Sequence, residues 1–120
     1  MQLVQDLPDF RYVLRAVAAG AVTVNEQVLT RSFLLAPDAL VEGWPHADPL
    51  VAADMDAVLA LGPELVLLGT GERQRFPAPA VMAACLTRGI GIEVMDNAAA
   101  ARTFNVLALE GRRVVAAFVV

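Results

Sequence analysis

From Glu64 onward the sequence alternates apolar, β-branched runs with segments of helical spacing, and this order restricts the fold more than any other feature. Glu64 to Leu68 (ELVLL) is a continuous apolar run of the kind buried on both faces of a sheet. Pro79 to Thr87 has helical spacing, with Val81, Cys85 and Leu86 inward and Gly89 as its stop. Ile90 to Val94 reads as a second strand, the segment after Asp96 as an alanine-rich helix, and Arg113 to Val120 as a third strand. A helical crossover returns each strand in the same direction. The expectation is therefore a parallel β-α-β-α-β unit with right-handed crossovers.

The first third follows a different rule. Tyr12–Val17, Ala21–Val24, Gln27–Thr30, Ser32–Ala36 and Ala39–Glu42 are short β-prone runs separated by Ala19-Gly20, Asn25-Glu26 and Pro37-Asp38. Asn25 tolerates a left-handed backbone, so Asn25-Glu26 predicts a tight hairpin. The residues up to Pro8 read as an arm against the body. These antiparallel strands either extend the parallel sheet or form a small second layer. At Asp48-Pro49 the period changes from two to about three and a half. Asp48 is expected to cap a helix with Pro49 at its first position, Val51, Met55, Val58 and Leu59 on one face, and Gly62-Pro63 at its end.

Composition narrows the class. A chain of 120 residues has room for one sizeable core, so a single domain over 1–120 is expected. The net charge is -4, there is no Lys, and the arginines are scattered, which argues against a nucleic-acid partner. The start, MQLVQDLPDF, lacks a basic region and a long apolar core, so no signal peptide is read there. No apolar run of spanning length escapes Gly, Pro or charge, so no membrane insertion is expected. One Cys and one His provide neither a disulfide framework nor a zinc site. A reducing cytoplasm suits such a chain, and no metal or cofactor is expected.

Candidate functional residues gather at two strand ends. Gly69-Thr70-Gly71 follows the ELVLL strand, where open α/β sheets bind ligands, and its amides and hydroxyl suit an anion. The same glycines suit a plain tight turn, and the spacing matches no nucleotide signature. Asp96 and Asn97 precede the helix carrying Arg102 and Asn105, which share a face with Ala98 one turn earlier. Asp96 reads first as a helix cap. Glu93 alternates away from Ile92 and Val94, and if helices cover both sheet faces its nearest partner is Arg102. A buried Glu93–Arg102 ion pair is the structural expectation; an anion site on Arg102 and the turn amides is the functional one. Cys85 reads as a small buried hydrophobe. His46 belongs to the surface or to the lip of a cleft. Trp44 and Phe76, each beside a proline, read as plugs at the end of the core, or as a recognition patch if exposed.

Three stretches carry a family resemblance: LLGTG (Leu67 to Gly71), Phe76-Pro77, and GIGIEVMDNAAAARTFNVLALEGRRVVAA (Gly89 to Ala117). They resemble the Mth938-like domain, a domain of unknown function, whose usual pattern in the last stretch is GIGVEVMDT-x-AACRTYN-x-L-x-x-EGR-x-V-x-A. Arg31-Ser32, Pro37-Asp38 and Trp44-Pro45 match the family's strand-and-loop region. The resemblance implies a compact three-layer α/β fold around a central mixed sheet. Relatives look like a mitochondrial assembly factor for respiratory complex I and an adipogenesis-associated protein, neither an established enzyme. Family positions kept here are Gly69, Gly71, Glu93, Met95, Asp96, Arg102, Thr103, Asn105, Glu110, Gly111 and Arg112. Asn97 replaces the usual Thr, Ala101 the Cys and Phe104 the Tyr, which removes a thiol and a phenol from any chemistry at this place.

The reading that follows is a non-catalytic binding or assembly module with a protein partner, acting near Gly69 to Gly71 and the helix start at Asp96. The alternative is an anion-binding enzyme or sensor using Arg102 and backbone amides. A third reading, a homo-oligomer joined through the final strand, requires that strand to present an exposed edge.

Overall fold

The computed structural model describes residues 12–46 and 48–120; the expected N-terminal arm lies outside the described residues. Strands β1 (Leu14–Ala18), β2 (Ala21–Val24) and β3 (Gln27–Leu29) form an antiparallel sheet in the order β1-β2-β3. The first turn uses Gly20 at φ 69° and the second uses Asn25 at φ 53°, the left-handed backbone that the hairpin requires. Strands β4 (Phe33–Ala36), β5 (Ala39–Glu42), β6 (Leu65–Gly69), β7 (Gly91–Met95) and β8 (Val114–Phe118) form a second, mixed sheet ordered β5-β4-β8-β6-β7. Here β6 pairs in parallel with both β7 and β8, while β4 pairs antiparallel with β5 and β8. The early strands thus do both things the sequence allowed: β4 and β5 extend the sheet, and β1 to β3 make a second layer.

The crossover helices are α2 (Pro79–Leu86) between β6 and β7, and α3 (Asn97–Leu109) between β7 and β8. The first connection moves one strand outward and the second returns past β6, so crossovers of one hand place the helices on opposite faces. Two apolar cores result. On one face Phe33, Leu35, Leu67, Ala116 and Phe118 meet Phe104 of α3 and Leu14, Val22 and Val24 of the small sheet. Phe33 and Phe118 stack with centroids 4.9 Å apart across the β4–β8 pair, a contact that adds about 1 kcal/mol beyond burial. On the other face Leu34, Val66, Leu68 and Val115 meet Met55, Val58, Val81, Cys85 and Trp44.

Three expectations are corrected here. No helix starts at Asp48-Pro49: a 3-10 turn spans Ala52–Met55 and leads into the short α1 (Asp56–Leu59). Asp54 holds its start, its carboxylate accepting the Val51 amide at 2.8 Å while its own amide donates to Val51 O at 3.0 Å. Val51 is consequently exposed, whereas Met55, Val58 and Leu59 face the core. Leu86 points outward from α2. The final strand has no free edge, since β8 lies between β4 and β6 with all five residues buried. It offers no edge for self-association.

Candidate functional site

The parallel strands β6 and β7 release their chains toward opposite faces. The crevice that open α/β sheets offer to ligands should therefore lie between Gly69–Gly71 and Asp96–Asn97. Hydrogen bonds close it. Thr70 N donates to Met95 O at 2.9 Å and Asn97 N to Gly71 O at 2.8 Å. The Asn97 side chain, 5% exposed, accepts from Gly71 N at 3.1 Å and donates to Val119 O at 2.9 Å. Val119 N in turn donates to Gly69 O at 2.9 Å. One amide group thereby joins the carboxyl ends of β6 and β8 to the first turn of α3.

The loop after β6 is fixed in the same way. The Thr70 hydroxyl donates to Arg73 O at 2.6 Å and accepts from Arg75 N at 3.0 Å, and Gln74 Nε2 donates to Val94 O at 2.8 Å. Asp96 has an extended backbone, and its Oδ1 accepts the Ala99 amide at 2.7 Å, an N-cap worth about 1 kcal/mol. The turn amides of Thr70 and Gly71 are thus partnered within the chain.

Glu93 and Arg102 do not form the expected buried pair. Both are exposed, and the ion pair among the described residues joins Arg113 to Asp38 instead. The reason is topological: β8 inserts between β4 and β6, which leaves β7 as an edge strand. Helix α3 packs on β1, β6 and β8 rather than over β7, and Glu93 stays exposed. Asn105 has a structural task that its sequence position did not announce. Its Oδ1 accepts from Leu14 N at 3.0 Å and its Nδ2 donates to Leu14 O at 2.7 Å, so it pairs with β1 as a neighbouring strand would. Arg102→Ala is expected to change the unfolding free energy by less than about 0.5 kcal/mol, as at other exposed sites without an ion pair among the described residues; urea denaturation checks this.

The remaining chemical groups divide between core and rim. Trp44 is buried, and its indole donates to Asp54 O at 3.0 Å, so it plugs the second core. Phe76 is 72% exposed and joins the surface instead. Ser32, read from the sequence only as a strand start and a family match, is buried; its Oγ accepts from Val120 N at 3.0 Å and bonds His46 Nε2 at 2.9 Å. A lone Ser in a β-rich run gave no signal of this link, which forms only when β8 arrives beside β4. Cys85 is buried, and desolvation pushes its thiol pKa up, with Arg88 partly opposing. The unfolded chain therefore loses this proton before the folded one does, and the thiol's contribution to stability falls as pH rises through the ordinary thiol range. A thiol reagent at pH 8 is expected to label Cys85 only as fast as the protein opens.

Two hollows flank Val119 and Val120. The larger, about 450 Å³, lies between the β1–β2 turn and the start of α3, lined by Val17 to Gly20, Gly71, Glu72, Asp96, Asn97 and Ala98. It continues along α3 into a hollow of about 210 Å³ bounded by Leu14, Arg15, Ala16, Val17, Ala98, Ala101, Arg102 and Asn105. On the far side, a cleft of about 280 Å³ is bordered by His46, Thr70, Arg75 and Phe76. Among the described residues, no group of three or more His, Cys, Asp and Glu could hold a metal ion. No described helix is long and apolar enough to cross a membrane.

A Xanthomonas campestris protein solved by NMR is 61% identical, with a TM-score of 0.83 over 100% of this chain and 92% of that one. A Bordetella pertussis Mth938-like domain is 30% identical, with a TM-score of 0.77 over 99% of this chain and 92% of that one. Among curated proteins, the 13 kDa major membrane protein of Francisella tularensis is 35% identical over 60 residues, 50% of this chain and 49% of that protein. The bovine NADH dehydrogenase [ubiquinone] 1 alpha subcomplex assembly factor 3 is 47% identical over 49 residues, 41% of this chain and 27% of that protein. This chain thus matches half or less of the length of these curated relatives. Residues 14–119 match the family described as "Protein of unknown function (DUF498/DUF598)". On that match and on the shared fold, the chain belongs to the DUF498/DUF598 family, the family of the Mth938-like domains.

Proposed function

We propose that this protein is a non-catalytic binding module that docks a protein partner on the face where β6 and β8 end and α3 begins. The observation that carries the reading is a contrast. The polar groups at the strand ends satisfy one another through Asn97 and Thr70, while the groove beside them stays open and is floored by small and apolar residues. A catalytic centre needs free, convergent functional groups; a docking face needs a preorganised surface. Of the residues first singled out, Gly69, Thr70, Asn97 and Asn105 serve as framework. Gly71, Asp96 and Arg102 border the groove, and Glu93 stands apart on the β7 edge. Kinship with a protein named as an assembly factor supports the same reading. We place its action in the cytoplasm, which suits a chain with one unpaired cysteine.

A second reading, an anion-binding enzyme or sensor, keeps Arg102 and Arg15 in a hollow bordered by no acid but lacks the turn amides. Affinity capture with the tagged protein tests the first reading. Ala98→Trp fills the groove from an exposed helix position and should remove a captured partner that Val28→Ser, on the distant β3, retains. Identical captures by all three proteins would refute it.

A further inference from the structure

The chemistry of the occupant can be read from β1. In an antiparallel pair, successive residues alternate between bonding their partner strand and pointing away from it. Ala18 opposite Ala21 closes the two-residue turn, so Val17 points its N–H and C=O outward. The phase is checked further down the strand. Val13 exchanges bonds with Asn25 on the inner side, Leu14 faces outward to Asn105, and the register shift between Leu14 and Ala16 absorbs Arg15 as a bulge. Asn105 therefore caps the outer edge at Leu14, and the next outward pair, at Val17, has no partner among the described residues. Val17 also lines both hollows. The edge is open where the groove is.

Charge along the groove is ordered. Glu72 and Asp96 line the larger hollow without any basic residue. Arg15 and Arg102 line the smaller one without any acid. Asp96 and Arg102 are six residues apart, about 9 Å along a helix; two positions of an extended chain lie about 7 Å apart on one face, and long charged side chains span the rest. The α3 surface between them, Ala98 and Ala101, is small enough to let a backbone approach. Resting on the binding reading above, we propose that the groove takes an extended segment of a partner protein by strand addition at Val17, with a basic side chain toward Glu72 and Asp96 and an acidic one two positions away, on the same face, toward Arg102. Main-chain bonds supply affinity in this mode and the flanking side chains supply selectivity.

The test titrates the whole 120-residue, 15N-labelled chain with the peptide acetyl-Ala-Lys-Val-Glu-Val-Ala-amide and with versions carrying Lys at both charged positions or Glu at both. Saturable amide shifts centred on Val17, Gly71 and Ala98 are expected, with the mixed peptide bound about fivefold more tightly than either control. In Arg102→Glu the preference should pass to the double-Lys peptide. Absence of saturable shifts, shifts centred elsewhere, or an unchanged preference in Arg102→Glu would overturn the proposal. So would concentration-dependent shifts at Val17 without peptide, which would seat a second copy there. A Val17 amide already protected from exchange without peptide would likewise show that the edge is not open. A partner lost with Ala98→Trp in the capture experiment, together with no peptide binding, would leave the binding reading standing and remove this one; capture indifferent to Ala98→Trp would remove the binding reading itself.

Discussion

Gly69→Ala is expected to lower the unfolding free energy by about 3 kcal/mol, although it adds one methyl group and Ala is ordinarily tolerated in strands. A Cβ at this position would lie 2.4 Å from Asn97 Oδ1, 3.1 Å from Phe118 Cδ1 and 3.4 Å from Ala100 Cβ. The first distance is far inside contact, so the Asn97 amide would have to move. That amide cannot move freely, because it holds Gly71 N and Val119 O at once. Overpacking costs about 1–3 kcal/mol, and each buried polar group left unpaired adds about 1–3 kcal/mol. Glycine is therefore required at the end of β6 by close approach and not by a turn. Urea unfolding gives the number, and a cost under about 1 kcal/mol would mean that the Asn97 amide is not held.

Asn97→Ala is the second large effect, at about 2–3 kcal/mol. It strips a hydrogen bond from Gly71 N and another from Val119 O, both half-buried beside the groove, and leaves both backbone groups without a side-chain partner. The helix cap survives, since Asp96 makes it. The loss should consequently fall on the β6–β8 strand ends and their loops, read as faster amide exchange at Gly71 and neighbouring residues with α3 unaffected. Equal acceleration throughout α3 would contradict this division of labour.

The sequence displayed those parts of this arrangement that depend on local preference. Asn25-Glu26, Gly62-Pro63 and Gly89 mark boundaries because the backbone there has left-handed or turn geometry, a property of the residues themselves. ELVLL displays its burial because both faces of β6 are covered. The order strand-helix-strand-helix-strand gave the parallel unit for the same reason, since a crossover fixes strand direction. What stayed hidden depends on the order of strands in space. Nothing near Glu93 says that β8 will insert on the far side of β6 and leave β7 at the edge. The expected Glu93–Arg102 pair failed on that fact alone. Similarly, Asn105 meets Leu14, 91 residues away in sequence, and Ser32 meets Val120 across 88. At Asp48-Pro49 the local pattern for a helix start was present, but Asp54 reaching back to Val51 sets the start three residues later.

The family signature around α3 changes meaning in this light. A cluster of polar residues at a strand end invites an active site, yet here Asn97 and Asn105 both bond to backbone on other elements, and Asp96 caps its own helix. Their arrangement shapes the groove between β1 and α3 without lending it reactive groups. Arg102 and Glu72 are exposed on the groove's rim, and in the proposed binding mode they would select what enters.

The double-mutant cycle of Gly69→Ala and Asn97→Ala by urea unfolding tests most directly whether the Asn97 side chain seals the strand ends. Once Asn97 is shortened, the added methyl at position 69 has space, so the double variant should be more stable than the sum of the single effects predicts by about 1–2 kcal/mol. Additivity to within about 0.5 kcal/mol would show that the two residues do not share that space, and would contradict the account.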